Sequence, residues 1–128
     1  MEWVITCNPK FYDVKRAFSE LDTLTWRQHM KAQAGDIVYI YVGKPTGSIC
    51  YQCEVLRADL PEPLVNDGQY VKGNALKAAG TYMDLHCLRT FPDEALPLAN
   101  LKANGLKTVQ GPSRVSAELS AYISGFLR

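Results

Sequence analysis

The sequence carries almost no net charge: Lys and Arg total 14, Asp and Glu total 13, and the balance is +1. A chain so evenly charged cannot hold a polyanion through its overall field, so any grip on nucleic acid needs a local patch. No apolar run approaches the roughly 20 residues that cross a bilayer. Met1-Glu2-Trp3-Val4-Ile5 lacks the basic start and apolar core of a secretion signal. The expectation is no membrane association and a cytoplasmic protein, with Cys7, Cys50, Cys53 and Cys87 reduced.

Catalytic signatures are equally scarce. There is no G-x-S-x-G, and the two histidines have no recognisable triad partners. No H-x-E precedes a P-C-x-x-C, which excludes zinc-deaminase chemistry. Gly43-Lys44-Pro45-Thr46 is not a phosphate-binding loop, because Val38 stands where that motif needs glycine. Asp93-Glu94 follows Pro92 and reads as exposed loop. Cys50-Tyr51-Gln52-Cys53 is a C-x-x-C, and His29, His86, Cys87 and Cys7 are conceivable co-ligands. A zinc pair, however, needs a turn that converges its thiolates. Both cysteines fall in a predicted strand, where residues three apart point to opposite faces. They are read as small buried hydrophobes, and neither metal nor cofactor is expected.

What is present suits one domain over residues 1–128, too short for a large α/β barrel or a two-domain enzyme. Trp3 to Cys7 is β-branched and aromatic and stops at Asn8-Pro9. Asp13 can cap a helix whose stripe is Val14, Ala17, Phe18 and Leu21. Gly35-Asp36 turns into the strongest strand, Ile37 to Val42, apolar or aromatic on both faces and so expected to be central. Gly43 to Gly47 is a loop, and Ser48 to Leu56 returns as its hairpin partner. Residues 59–80 are the hardest to read, with a short helix expected at Asn74 to Ala79. Thr81 to Phe91 reads as a strand. Ala95 to Ala103 reads as a helix stopped by Asn104-Gly105, and Leu106 to Val109 as a short strand. Ser113 is expected to cap a last helix with stripe Val115, Leu119, Tyr122, Ile123 and Phe126. This order predicts an α+β fold with a mixed or antiparallel sheet, curved or half closed into a barrel and flanked by helices.

Aromatics gather in the first half: Trp3, Tyr12, Trp26, Tyr39, Tyr41 and Tyr51. Trp3, Tyr39 and Tyr51 suit the core of a small sheet, whereas Trp26 fits either the core or a stacking wall. Rings beside amide side chains such as Asn8 and Gln110 suit a flat heterocycle with a polar edge. Arg27 and Lys31 share a face if their segment is helical, and Lys44 and Arg114 stand near loop ends.

Trp3-Val4-Ile5-Thr6-Cys7-Asn8-Pro9, Trp26, Gly35-Asp36-Ile37-Val38-Tyr39-Ile40-Tyr41-Val42 and Ile49 to Val55 together resemble the EVE domain of the PUA-like superfamily, a relative of YTH domains. Gly105-Leu106 and Gln110-Gly111-Pro112-Ser113-Arg114 resemble the end of EVE-like domains found beside HNH nucleases in bacterial restriction systems. The resemblance implies a PUA-like curved β-barrel flanked by helices. It also implies a reader of modified bases, with the base flipped into an aromatic pocket at the barrel mouth. Mapped onto this chain, it puts Asn8, Trp26, Tyr41, Gln110 and Ser113 in the base pocket. Arg27, Lys44 and Arg114 would hold phosphates. Two segments depart from the family pattern: Arg27-Gln28-His29-Met30 replaces G-V-R-N, and Tyr41-Val42-Gly43 replaces Tyr-His-Ser.

The implied partner is DNA or RNA carrying a modified base, with a separate nuclease as a possible effector and no chemistry in this chain. Two rivals stand beside it. One is an amidohydrolase of the related ASCH branch acting on acylated nucleosides, for which Lys44, Thr46 and Glu54 are the available Lys, Thr and Glu. The other is a ligand- or protein-interaction domain with an incidental pocket.

Overall fold

Residues 1–62, 68–71 and 80–127 are described by the structure, a computed structural model. The helix expected at Asn74 to Ala79 lies outside those residues. Strand β1 is Glu2–Cys7. The turn after it leads into helix α1, Val14–Glu20, whose first turn is capped as expected: the Asp13 carboxylate accepts the Arg16 N–H at 3.3 Å. Val14 and Ala17 are buried and Phe18 and Leu21 partly so, which confirms the stripe.

Strand β2, Thr23–Gln28, is the first departure. A helical reading had placed Arg27 and Lys31 on one face; instead the segment pairs antiparallel with β5, Thr81–Thr90. Tertiary pairing wins here over a local pattern that favours neither state. Strand β3, Ile37–Val42, runs antiparallel to β4, Ser48–Leu60, and parallel to β1. It is central and buried, as its two-sided apolar pattern implies. Gly35 enters it with φ +93°, a conformation open to glycine at little cost.

Toward the C-terminus, helix α2 is Leu98–Ala103 and ends where Gly105 takes φ +104°. Leu106 to Val109 is not a strand. Ser113 does not cap the last helix either. Ser113–Arg114 forms strand β6 against β1, and Ser116 caps helix α3, Ala117–Ser124, accepting the Leu119 N–H at 3.1 Å. Either serine is a good cap by type; the free edge of β1 claims the earlier one.

The sheet order is β2-β5-β4-β3-β1-β6. One cluster nonetheless unites Trp3, Ile5 and Cys7 of β1, Leu24 of β2, Val38 and Ile40 of β3, Cys53 and Val55 of β4, and Met83 and Leu85 of β5. Strands far apart in the ladder can share a core only if the sheet curls around it. The curl stops short of closure, because β1 pairs with β3 and β6 and not with β2. The expected barrel is therefore an open, curled mixed sheet, with α1 packed on its inner cluster. The outer face carries a second cluster, in which Val4, Tyr39, Tyr41 and Ile49 meet Leu101 of α2 and Leu119 and Ile123 of α3.

Strand alternation breaks at one informative point. Ile40 pairs with Tyr51 but Tyr41 with Ile49, leaving Cys50 as the extra residue of a β-bulge. Cys50 and Tyr51 consequently both join the inner cluster, and Cys50 and Cys53 share a face. The expectation that these cysteines point apart is overturned by that extra residue. Among the described residues, no three His, Cys, Asp or Glu side chains converge.

Two polar anchors tie the strands. Asp84, fully buried, accepts from Thr25 Oγ1 at 3.0 Å and from Arg57 at 2.8 and 3.0 Å. Asp36 accepts from the Trp3 indole at 3.1 Å, the Gln33 amide at 3.0 Å and the amino terminus at 3.3 Å. Burial alone would raise the Asp36 pKa. The Gln33, Trp3 and terminal donors together outweigh it and hold the carboxyl below its ordinary value.

Two outcomes follow from this packing. Leu119→Ala empties a fully buried site and should cost about 2–5 kcal/mol, read as a drop in denaturant midpoint. Because the Asp36 pKa is depressed on folding, its contribution is present above about pH 4 and is lost as pH falls through the lower folded-state value. Asp36→Asn should therefore be less stable than the parent at neutral pH but lose less Tm on acidification.

Candidate functional site

The failure of β1 and β2 to join leaves a gap. A cavity of about 440 Å³ sits there, lined by Ile5 and Thr6 of β1, Trp26 and Arg27 of β2, His29 and Met30 beyond it, and Gln110-Gly111-Pro112 of the C-terminal segment. That segment is tied to β1 from both sides: Thr6 Oγ1 donates to the Val109 carbonyl, and β6 pairs Val4 with Ser113 and Trp3 with Arg114. Gln110 and Pro112 are thus held over the exposed edge of β1. A more open cavity of about 620 Å³ shares His29 and Met30 and continues past Gln28, Lys31 and Asp59.

Trp26 serves both roles that its type allows. It packs partly against the inner cluster while lining the cavity. The Tyr12 ring meets it edge to face at 5.3 Å and 66°, which holds the indole from behind. Tyr12 in turn lies 6.4 Å from Tyr70, also edge to face. Arg27 is half-buried at the end of β2. Its guanidinium lies so close to Gly80 that a Cβ there would stand 2.9 Å from Nη2.

Of the residues expected in a base pocket, the cavity gathers Trp26 and Gln110, together with Arg27 from the phosphate set. Asn8 stands two residues past Thr6, and its side chain accepts the Lys10 N–H at 3.0 Å, shaping the turn after β1. Ser113 lies just beyond the lining; its Oγ is shielded from solvent with no hydrogen-bond partner among the described residues. Tyr41 is a correction. It is 4% exposed on the outer face among α2 and α3 contacts, and burial pushes its hydroxyl pKa up. It is core, not a second wall. Lys44 is exposed in the β3–β4 turn, at the sheet end where Cys7 pairs with Val42. Arg114 is exposed on β6, two residues past the lining.

Trp3, Tyr39 and Tyr51 are buried, in keeping with their core reading. Thr6, His29 and Met30 were not picked out as pocket residues. His29 and Met30 follow Gln28, the last residue of β2, and reach the cavity because that strand pairs with β5. Lys44, Thr46 and Glu54 do not form a catalytic trio. The first two sit in the turn before Ser48, and Glu54 lies six residues along β4, roughly 20 Å at strand rise.

No protein-family model matches the sequence, and no curated protein matches it. Likeness appears among solved structures. ASCH from Zymomonas mobilis is 15% identical, with a TM-score of 0.65 over 97% of this chain and 94% of that one. A Pseudomonas putida protein is 21% identical, with a TM-score of 0.67 over 98% of both chains. A Rhodopseudomonas palustris protein is 18% identical, with a TM-score of 0.60 over 99% of this chain and 94% of that one. The fold is therefore the one shared by these solved structures, ASCH from Zymomonas mobilis among them. No helix among the described residues is long and apolar enough to cross a membrane.

Gly80→Ala tests how Arg27 is held. The added methyl meets only the far end of a flexible side chain, so stability should change by less than about 1 kcal/mol. The guanidinium should move nevertheless, visible as a shift of the Arg27 Nε–Hε resonance.

Proposed function

We propose that this chain is a nucleic-acid-binding module that takes an unpaired base into the gap between β1 and β2. In this reading a modified base is preferred and the chain performs no chemistry. The observation that carries the reading is the convergence of Trp26, Gln110 and Arg27 on one cavity of about 440 Å³. A base offers a π-face and a polar edge. Trp26 is the stacking surface, backed by Tyr12. Gln110 supplies both a donor and an acceptor for the base edge. Arg27 holds the adjacent phosphate at the mouth, and Lys44 and Arg114 hold flanking phosphates on either side.

The resemblance of Trp3 to Pro9 and of Gly35 to Val42 to EVE domains supports the preference for a modified base. Cleavage, where it follows binding, falls to a separate nuclease. The near-neutral chain suits a reader of this kind, since its affinity then comes from the pocket more than from bulk charge.

The test is fluorescence anisotropy on single-stranded DNA and RNA oligonucleotides that differ only in one modified base. Base stacking is worth roughly 1–3 kcal/mol, so Trp26→Ala should weaken binding by about 5- to 150-fold. Gln110→Ala should erase the preference between modified and plain strands. Lys44→Ala and Arg114→Ala should weaken both strands alike and flatten the salt dependence. Folded Trp26→Ala and Gln110→Ala variants that keep full affinity and discrimination would overturn the reading.

A further inference from the structure

Away from the pocket, two thiols meet across the sheet. Cys53 of β4 and Cys87 of β5 are directly opposed in the antiparallel ladder, where the register shifts between Gln52 and Cys53. Opposed residues in such a pair point to the same face with Cα atoms about 4.5–5.5 Å apart, inside the range a disulfide spans. Both are free thiols. Cys53 is fully buried in the inner cluster, whereas Cys87 is half-buried at its margin and reachable from solvent.

We propose that Cys53 and Cys87 form a peroxide-responsive dithiol that closes reversibly to a cross-strand disulfide. Cys87 is the attacking sulfur. Its thiolate takes one oxygen from hydrogen peroxide; the O–O bond breaks, hydroxide leaves, and Cys87 becomes a sulfenic acid. The Cys53 sulfur then attacks the Cys87 sulfur and the S–S bond forms. The sulfenic oxygen departs with the Cys53 proton as water. Two electrons pass from the two thiols to one peroxide, and a thiol reductant restores the starting state.

The environments of the two sulfurs divide these roles. The Cys53 S–H hydrogen-bonds to the Cys87 sulfur, and this, with help from the Thr90 hydroxyl and the nearby His86, outweighs burial and brings the Cys87 pKa down to about 6. The same hydrogen bond and full burial push Cys53 well above the ordinary thiol value, so it stays protonated. Cys50 is buried and raised, and Cys7 is buried with its sulfur against the Tyr12 carbonyl, 3.8 Å away; neither is placed to compete. The bond would staple β4 to β5, the strand that carries β2. It does not depend on what the cavity binds.

The experiment is thiol counting and peptide mapping on the intact protein after mild hydrogen peroxide. The four thiols should fall to two, with a loss of two hydrogens in mass and a Cys53–Cys87 cross-linked peptide. Dithiothreitol should restore all four. Cys87→Ser should keep its three remaining thiols under the same treatment. Cys53→Ser, where it folds, should carry a dimedone-reactive sulfenic acid at Cys87; where it does not fold, the map of the parent protein decides alone. Four surviving thiols, a bond between other cysteines or between two chains, or irreversible oxygen addition at Cys87 with Cys53 still free would overturn the proposal.

Discussion

The structure depends on a sheet that curls far enough to enclose a core from both ends yet cannot close. Closure would require β2 to pair with the outer edge of β1. That edge is already taken at Trp3 and Val4 by β6, and Val115 N–H extends the contact to the Glu2 carbonyl. Beyond Val4 no strand pairs with that edge among the described residues, and there Ile5 and Thr6 line the gap together with Trp26 and Arg27. A two-residue strand thus does two things. It satisfies backbone groups that would otherwise be an exposed edge, and it leaves a gap beside itself. The Thr6 bond to the Val109 carbonyl holds the segment that roofs this slot, so Gln110 is positioned by β1 itself.

The parallel pairing of β1 with β3 makes this possible. Parallel neighbours need a crossover, and here α1, β2 and the turn at Gly35 supply it. The crossover passes under the sheet, which packs Val14 and Ala17 on the inner cluster and delivers β2 to the far edge, next to β5. Trp26 is therefore where it is because of topology, not because of its neighbours in the sequence.

That distinction separates what could be read from the chain from what could not. Ile37 to Val42 was legible because both faces are apolar, and α1 because Asp13 and a 3.6-residue stripe agree. The Trp26–Met30 segment was not legible: its pattern fits helix and strand equally, and the deciding force is β5, more than fifty residues away. Tyr41 keeps the regular alternation of β3 and shares the face of Ile37 and Tyr39, which α2 and α3 cover; its own strand does not say which face that is. The cysteines differ. Facing in a strand follows from counting by twos, and one extra residue at Cys50 reverses the count. Two residues of the candidate site could nevertheless be found from residue type alone. Trp26 and Gln110 suggested stacking and edge recognition in any fold, whereas Tyr41 suited a pocket only if it faced one.

The charge balance sets the final constraint on what such a slot can do. Each phosphate neutralised on a single strand contributes about −0.7 to the slope of log K against log salt. In the proposed reading Arg27, Lys44 and Arg114 meet three phosphates, which gives a slope of roughly −2, shallow for a nucleic-acid binder. On that reading affinity comes mostly from interactions that salt does not touch: stacking on Trp26 and the hydrogen bonds of Gln110. Those interactions are short in range and sensitive to shape, so a protein built this way gains discrimination between bases at the expense of indiscriminate binding to the backbone. On the proposed reading, the same neutrality that excludes a bulk polyanion grip favours selectivity as the role of the slot.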